Sequence, residues 1–170
     1  IDDCSSDHPE QVVAEVGKGR VGFYQQPQNV KHVKNFQTAL QRAKGEIIHL
    51  LHGDDFVLPG FYSKMLEMYT LYPEMKACYT QNYVVNSADE IIYTAKKFQE
   101  NSGIIPNFFA SQVADQYIQT PSITVKKEVY EAIGTFNPTL TWTEDWEMWA
   151  RIAKHYTFGY IAEPLACYRV

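Results

Sequence analysis

The feature that most constrains this chain is a pair of adjacent acidic residues behind an apolar segment, and it occurs twice. Residues 49–60 read HLLHGDDFVLPG, so Asp54 and Asp55 directly follow an apolar run. The chain opens in the same way, with Asp2 and Asp3 behind an isoleucine. Neighbouring carboxylates raise each other's pKa unless a cation or solvent relieves their repulsion. The two pairs therefore predict either solvated turns or a site that binds a cation.

An alternation of helical and extended patterns in the first half predicts an α/β fold. Apolar residues recur at helical spacing over residues 9–16, and again from a cap at Asn29 to about residue 44, while residues 20–24 and 46–51 read as strands. This alternation is typical of a doubly wound, parallel sheet. Ligands bind such sheets at the carboxyl ends of strands, which is where both acidic pairs stand.

The second half adds further strands and helices. Strands are predicted at 76–85, 91–95, 122–125, 157–161 and 165–169, and helices after Pro59, at 127–133 and at 143–156, with 105–117 open between a helix and an irregular segment. The helix at 143–156 is amphipathic, because Trp146, Trp149, Ile152 and Ala153 share one face.

Composition limits the class of protein. The 170 residues suit one domain, and the net charge of −5 argues against a nucleic-acid partner, which needs a basic face. No apolar run approaches the roughly 20 residues that cross a bilayer. Cys4, Cys78 and Cys167 are too scattered for a disulfide framework or a zinc knuckle, and they favour reduced thiols in a cytoplasmic protein.

Four segments, taken in order, resemble the glycosyltransferase family 2 type of GT-A domain. They are IDDCSSD (1–7), the stretch 29–62 with its Ala-x-Gly-Glu turn and HGDD, the stretch 120–153 with its Glu-Asp-Trp motif, and IAEPLACYRV (161–170). The resemblance implies a GT-A-like three-layer α/β/α sandwich with a mainly parallel mixed sheet. It also implies one domain, residues 1–170, with a nucleotide-binding half (1–85) and an acceptor-side half (86–170).

Both ends of the chain read as interrupted strands, which predicts a fragment truncated at both ends. The family's domain normally opens with a strand and a helix ahead of the first acidic pair. We expect those two elements to be missing here, and we expect membrane association only through segments outside this sequence.

The resemblance implies inverting transfer of a sugar from a nucleotide-diphosphate donor, with a UDP-sugar favoured, to a glycan or lipid-linked acceptor in bacterial cell-surface polysaccharide assembly. Asp54 matches the direct ligand of the family's Asp-x-Asp metal motif, where Mg²⁺ or Mn²⁺ would neutralise the leaving diphosphate. His52 replaces the motif's first aspartate and would contact ribose or a metal-bound water. Asp55 would contact the donor sugar or a group around the metal. The alternative is that the aspartates only cap the helix after Pro59.

The same resemblance suggests residues for the nucleotide. Asp2 and Asp3 match a pair of which one accepts bonds from the base or the ribose, with Asp3 slightly favoured. Lys34 and Asn35 match an Arg-Asn pair near the base, although lysine cannot make the planar two-pronged contact of arginine. The alternatives are an ordinary turn for the aspartates and a solvated helix face for Lys34.

On the acceptor side, Asp145 matches the general base that takes the proton of the acceptor hydroxyl. The helix N-terminus lowers its pKa, and burial beside Trp142 and Trp146 would raise it. Glu144 is the less favoured base, and Trp142, in the preceding loop, is a candidate for stacking on an acceptor sugar. The alternative is that these acids simply complement the helix dipole.

Two other functions stay open at this level. A nucleotidyltransferase of related fold would release pyrophosphate instead of a nucleoside diphosphate. An inactive nucleotide-sugar-binding or interaction module would bind a donor without turnover, and the histidine in the metal motif favours that alternative.

Overall fold

One mixed sheet organises the chain in the computed structural model, which describes residues 1–170. The strand order is β1-β6-β3-β7-β2, with β4 beside β3 and β5 beside β7. The seven strands are β1 (Ile47–His49), β2 (Phe56–Val57), β3 (Ala77–Val85), β4 (Ile91–Thr94), β5 (Gly103–Ile105), β6 (Ile123–Lys126) and β7 (Phe158–Arg169).

Six α-helices connect these strands: α1 (Pro9–Gly17), α2 (His32–Arg42), α3 (Phe61–Leu71), α4 (Phe108–Ala114), α5 (Lys127–Ile133) and α6 (Glu144–His155). A 3₁₀ turn at Thr120–Ser122 leads into β6. Pro9 stands in the first turn of α1, where its missing N–H costs nothing. No helix is both long and apolar enough to cross a membrane.

The central strand β3 separates two hydrophobic clusters, because successive side chains of a strand point to opposite faces. Ala77 and Tyr79 belong to the larger cluster, whereas Cys78 between them belongs to the smaller one. Helix α3 packs on the smaller cluster, and helices α2, α4, α5 and α6 contribute to the larger one. The chain therefore forms helix, sheet and helix layers, as the sequence predicts.

The mixed sheet is confirmed, but it is less parallel than expected. Only β3 and β7 pair in parallel, and the other five pairings are antiparallel. The strand predicted at 20–24 does not form. Lys18 and Gly19 both have positive φ just before it, and only a single bridge between Asp2 and Gln25 adds a parallel contact. The parallel part of the sheet is correspondingly small.

Three predicted boundaries also change. The strands expected at 157–161 and 165–169 form one strand, β7, which follows β3 through register shifts near Gln81. Asn29 does not cap α2: its Oδ1 accepts from the Lys31 N–H and its Nδ2 donates to the Asp3 carbonyl. The open segment 105–117 contains the short helix α4.

Candidate functional site

The turn between β1 and β2 brings three potential metal ligands together. One ligand atom from each of His52, Asp54 and Asp55 lies within 4.8 Å of the other two. The Asp55 N–H donates to the His52 carbonyl at 3.3 Å, which closes the turn. Asp54 is exposed, whereas only 1% of the Asp55 side chain is accessible to solvent. The Asp54 carboxylate is thus open to a ligand, whereas the Asp55 carboxylate is buried.

Asp55 is held by the last strand. Its Oδ1 accepts from the backbone N–H of Arg169 at 2.9 Å, and its Oδ2 is buried without a hydrogen-bond partner. Burial raises the pKa of Asp55 to about 6, with a contribution from the neighbouring charge of Asp54, while the bond from Arg169 acts in the opposite direction. A carboxylate with a buried, unpaired oxygen is a group that a cation would stabilise.

His52 faces Asp55 from the other side of the turn. Its Nδ1 lies 3.7 Å from Asp55 Oδ2, beyond hydrogen-bond distance, and its Nε2 is buried without a partner. The ring stacks on Phe36, with centroids 4.8 Å apart and planes 11° from parallel. Burial lowers the pKa of His52, although the charge of Asp54 acts in the opposite direction. A neutral imidazole and two carboxylates fit a divalent cation.

A cavity of about 450 Å³ lies between this turn, helix α2 and the start of α6. Its polar lining includes His52, Asp54 and Glu144, and its apolar lining includes Phe36 and Leu50. The cavity therefore joins a residue of the predicted acceptor side to two residues of the predicted metal motif. A larger cavity of about 590 Å³ lies elsewhere on the molecule. Its lining includes Lys44, Tyr69 and Glu131, and it shares no residue with the first cavity.

Asp145 stands in the first turn of α6 and is half-buried. Its Oδ2 accepts from Gln116 Nε2 at 3.0 Å, and its Oδ1 accepts from the Trp146 N–H at 2.7 Å. Burial raises the pKa of Asp145, against the lowering effect of these hydrogen bonds. Trp142 contributes little to that burial, because it is 91% exposed. Its ring is instead free in the loop before α6.

Glu144 points towards helix α2. Its Oε1 lies 3.0 Å from His32 Nε2, and its Oε2 is buried without a partner. The charges of His32, Glu144 and Asp54 all act on the pKa of His52. The starts of α2 and α6 are thus joined at the cavity that contains the metal motif.

Tyr168 is a half-buried residue near the end of β7. Burial raises the pKa of its phenol, and the carboxylates of Asp55, Asp145 and Asp54 raise it further. One half-buried side chain on β7 is therefore within electrostatic reach of the predicted base and of both aspartates of the metal motif.

Asp2 and Asp3 differ in how many of their carboxylate oxygens remain available to a ligand. The Asp2 carboxylate accepts from the backbone and hydroxyl of Ser5 and from Gln25 Nε2, and these bonds lower the pKa of Asp2. Asp3 accepts from the Val30 N–H at 2.8 Å through Oδ1. Asp2 is committed to its own turn, whereas Asp3 has its second oxygen available.

Lys34 and Asn35, the two residues of α2 predicted to lie near the nucleotide base, differ in their surroundings. The Asn35 side chain donates to the Ile1 carbonyl at 3.3 Å and accepts from Gln26 Nε2 at 3.2 Å, so it ties α2 to the two segments that meet at the Asp2–Gln25 bridge. It also lines the 450 Å³ cavity. Lys34 is exposed and lies outside that lining.

Comparison with known proteins gives this arrangement a family. A sequence model described as glycosyl transferase family 2 matches residues 1–133. The chain belongs to this family. The matched segment, residues 1–133, contains HGDD with Asp54 and Asp55, whereas Glu144 and Asp145 follow that segment. No curated protein sequence matches the chain.

Solved structures show the same fold for this family 2 chain. The crystal structure of S. aureus TarS 1-349 superposes with a TM-score of 0.78 at 15% identity, over 99% of this chain and 49% of that chain. TarS 1-349 in complex with UDP-GlcNAc gives a TM-score of 0.76 at 16% identity, over 99% and 48% of the two chains. The chain thus spans about half of these relatives, and the likeness establishes the GT-A architecture.

Sequence reasoning missed four residues of this family 2 site. Arg169 holds the Asp54–Asp55 turn, His32 lies beside Glu144, Gln116 donates to Asp145, and Tyr168 precedes Arg169 on β7; the motifs of the sequence assign none of these four residues to the site. Gln116 lies 29 residues from Asp145, and no local pattern joins them. The position of Arg169 beside a tyrosine at the end of a predicted strand was the only available signal.

Proposed function

We propose that this chain carries the donor-binding and catalytic centre of an inverting, metal-dependent glycosyltransferase that uses a UDP-sugar. The single observation that carries the proposal is the 450 Å³ cavity lined by both the His52–Asp54 turn and Glu144, the residue that precedes Asp145 in α6. A donor diphosphate at the turn and an acceptor hydroxyl at the start of α6 would then meet in one place. In this proposal residues 1–85 bind the donor, and residues 86–170 form the acceptor side.

Asp54, with His52 and Asp55 beside it, would hold a divalent cation. The cation supplies charge neutralisation of the leaving diphosphate. Asp54 is suited to this role because it is exposed, and Asp55 because its unpaired oxygen is buried next to His52. Arg169 holds the backbone of Asp54 through its carbonyl and the carboxylate of Asp55 through Oδ1.

Asp145 would accept the proton of the acceptor hydroxyl. Its raised pKa makes it a stronger base than a solvated aspartate, and Gln116 fixes one of its oxygens. Direct attack of that hydroxyl on the anomeric carbon would invert the configuration. Glu144, with one unpaired buried oxygen, would bind a sugar hydroxyl, and the exposed Trp142 would stack on the acceptor ring.

Asp3 is the better of the two N-terminal carboxylates for a base or ribose contact, because Asp2 is already fully engaged. UDP is the favoured nucleotide because TarS, which has the same fold, has been crystallised with UDP and with UDP-GlcNAc. A role in bacterial surface polysaccharide assembly and a cytoplasmic location, in keeping with three free cysteines, complete the proposal.

The test is to incubate the chain with UDP-sugars, Mn²⁺ and candidate acceptors, and to follow phosphorus and anomeric proton resonances. The proposal expects release of UDP and a first product with inverted anomeric configuration, both lost in Asp145→Asn. In a parallel reaction with UTP and sugar 1-phosphates, release of pyrophosphate and formation of a UDP-sugar would instead identify a nucleotidyltransferase. Donor binding without any release of UDP would identify an inactive binding module.

A further inference from the structure

We propose that His52 is itself a ligand of the bound cation, and that it makes this site select Mn²⁺ over Mg²⁺. This inference rests on the proposed function, which puts a divalent cation at the Asp54 turn. It goes further by assigning His52 to the metal and by choosing between the two cations.

The first reason is the position of the imidazole. A ligand atom of His52 lies within 4.8 Å of one from Asp54 and one from Asp55, so a single ion can reach all three after small side-chain shifts. His52 Nδ1 and Asp55 Oδ2 are 3.7 Å apart, which is too long for a hydrogen bond. The two groups face each other with a gap that a cation would bridge.

The second reason is an unsatisfied carboxylate oxygen. Asp55 Oδ2, the atom that faces His52 Nδ1, is buried and lacks a hydrogen-bond partner. Buried polar atoms are nearly always paired, so each exception calls for an explanation. The Asp55 side chain is almost fully buried, with 1% of its surface exposed, so water does not readily solvate it. A metal ion would satisfy the carboxylate oxygen directly.

The third reason is the rigidity of the ring. Phe36 stacks on the imidazole, and Arg169 fixes Asp55 through its other oxygen. A ligand set held by packing loses little conformational entropy on binding a cation. The sequence alone predicts that His52 contacts either ribose or a metal-bound water. A ribose contact would not need His52 to face Asp55, and the measurement below separates direct ligation from contact through water.

The donor set then determines the cation. Mg²⁺ prefers an octahedral shell of oxygens and gives up its water reluctantly, so an imidazole nitrogen is a poor ligand for it. First-row transition ions accept mixed nitrogen and oxygen ligands, and their affinity rises from Mn²⁺ to Co²⁺ in the Irving–Williams order. The expected order of affinity is therefore Mg²⁺, then Mn²⁺, then Co²⁺ as the tightest.

The test uses electron spin echo modulation of Mn²⁺ bound to the chain in the presence of UDP, without turnover. The inference expects ¹⁴N modulation from a coordinated imidazole, replaced by ¹⁵N modulation in uniformly ¹⁵N-labelled protein, which excludes uracil as the source. The modulation should persist in His155→Asn, an exposed histidine on α6, and disappear in His52→Asp.

Calorimetry provides the second readout. The ratio of Mg²⁺ to Mn²⁺ dissociation constants should fall by about tenfold in His52→Asp, because the shell then contains only oxygen. Bound Mn²⁺ without nitrogen modulation, together with an unchanged ratio, would overturn the inference and leave the proposed function intact. Absence of Mn²⁺ binding with UDP present would overturn the metal-dependent function as well.

Discussion

The Nε of Arg169 donates to the backbone carbonyl of Asp54 at 2.7 Å, and the Arg169 backbone N–H donates to Asp55 Oδ1 at 2.9 Å. The same guanidinium donates to the Asn86 carbonyl at 2.7 Å and to Asp89 Oδ1 at 2.6 Å. One residue of the last strand therefore ties the metal motif to the turn between β3 and β4.

Replacing Arg169 with alanine should loosen that turn. We expect the free energy of unfolding to fall by about 1–2 kcal/mol, since the Asp54 and Asn86 carbonyls, which are only partly shielded from solvent, lose charged donors. Binding of Mn²⁺ with UDP should weaken in parallel. Arg169→Lys should recover only part of both losses, because lysine keeps the charge and loses the planar fork. Urea unfolding and calorimetry measure the two effects.

The matched control is Arg20→Ala, on an exposed arginine between α1 and the first bridge. It should change neither quantity by more than about 0.5 kcal/mol. If Arg169→Ala binds Mn²⁺ and UDP as tightly as the unmodified chain, Arg169 has no positioning role.

Asp145→Asn should abolish the proton acceptor while keeping its shape. We expect the rate of sugar transfer to fall by about 10²–10⁴-fold with the dissociation constant of UDP unchanged. Asp115→Asn, on an exposed aspartate that pairs with Lys96, serves as the control and should transfer normally. Equal rates for Asp145→Asn and the unmodified chain would remove Asp145 from the chemistry.

The pH dependence of transfer follows from the same residue. A general base works in its deprotonated form, so kcat/KM should fall as the pH drops through the pKa of Asp145, which burial raises above its ordinary value. The bond from Gln116 lowers this pKa, so Gln116→Met should move the acidic limb to higher pH. A limb that stays in place in Gln116→Met would contradict the assignment.

His49 predicts a separate effect, on stability. Its Nε2 donates to the Pro121 carbonyl at 3.0 Å, and in the neutral form of the ring its Nδ1 accepts from the Tyr62 hydroxyl at 3.1 Å. Burial lowers the pKa of His49 in the folded state below its ordinary value of 6.5. The unfolded chain then binds more protons, and stability is lost as the pH falls below about 6.5.

In His49→Gln this acid-dependent loss of stability should shrink, because glutamine does not titrate. Urea unfolding at a series of pH values gives the difference between the two chains, which removes the contributions of other groups. His155→Gln, on an exposed histidine, should keep the slope of the unmodified chain. An identical slope in His49→Gln would show that His49 protonates without cost in the folded state.

Local patterns predicted the elements that local interactions determine. Helix α5 begins at Lys127 and ends at Ile133 with Gly134 behind it, as expected from a helix that stops at a glycine with positive φ. The hairpin of β3 and β4 also forms where the alternation and the turn residues indicate. These features depend on residues that are close in the chain.

The features that the sequence did not predict correctly depend on contacts between residues that are far apart in the chain. Residues 20–24 have strand composition, but a strand needs a neighbour to pair with, and only Gln25 finds one, in Asp2. The continuity of β7 comes from its pairing along β3, which no local pattern reports. Arg169 contacts Asp54 across 115 positions, so no local pattern indicates that β7 holds the Asp54–Asp55 turn.

The most direct test of the proposed donor site is calorimetric titration of the chain with UDP, with and without Mn²⁺, alongside Asp54→Asn. We predict Mn²⁺-dependent binding of UDP that is lost in Asp54→Asn and is weaker for GDP and dTDP. Binding of UDP that is equally tight without Mn²⁺ and in Asp54→Asn would contradict a cation site at this turn.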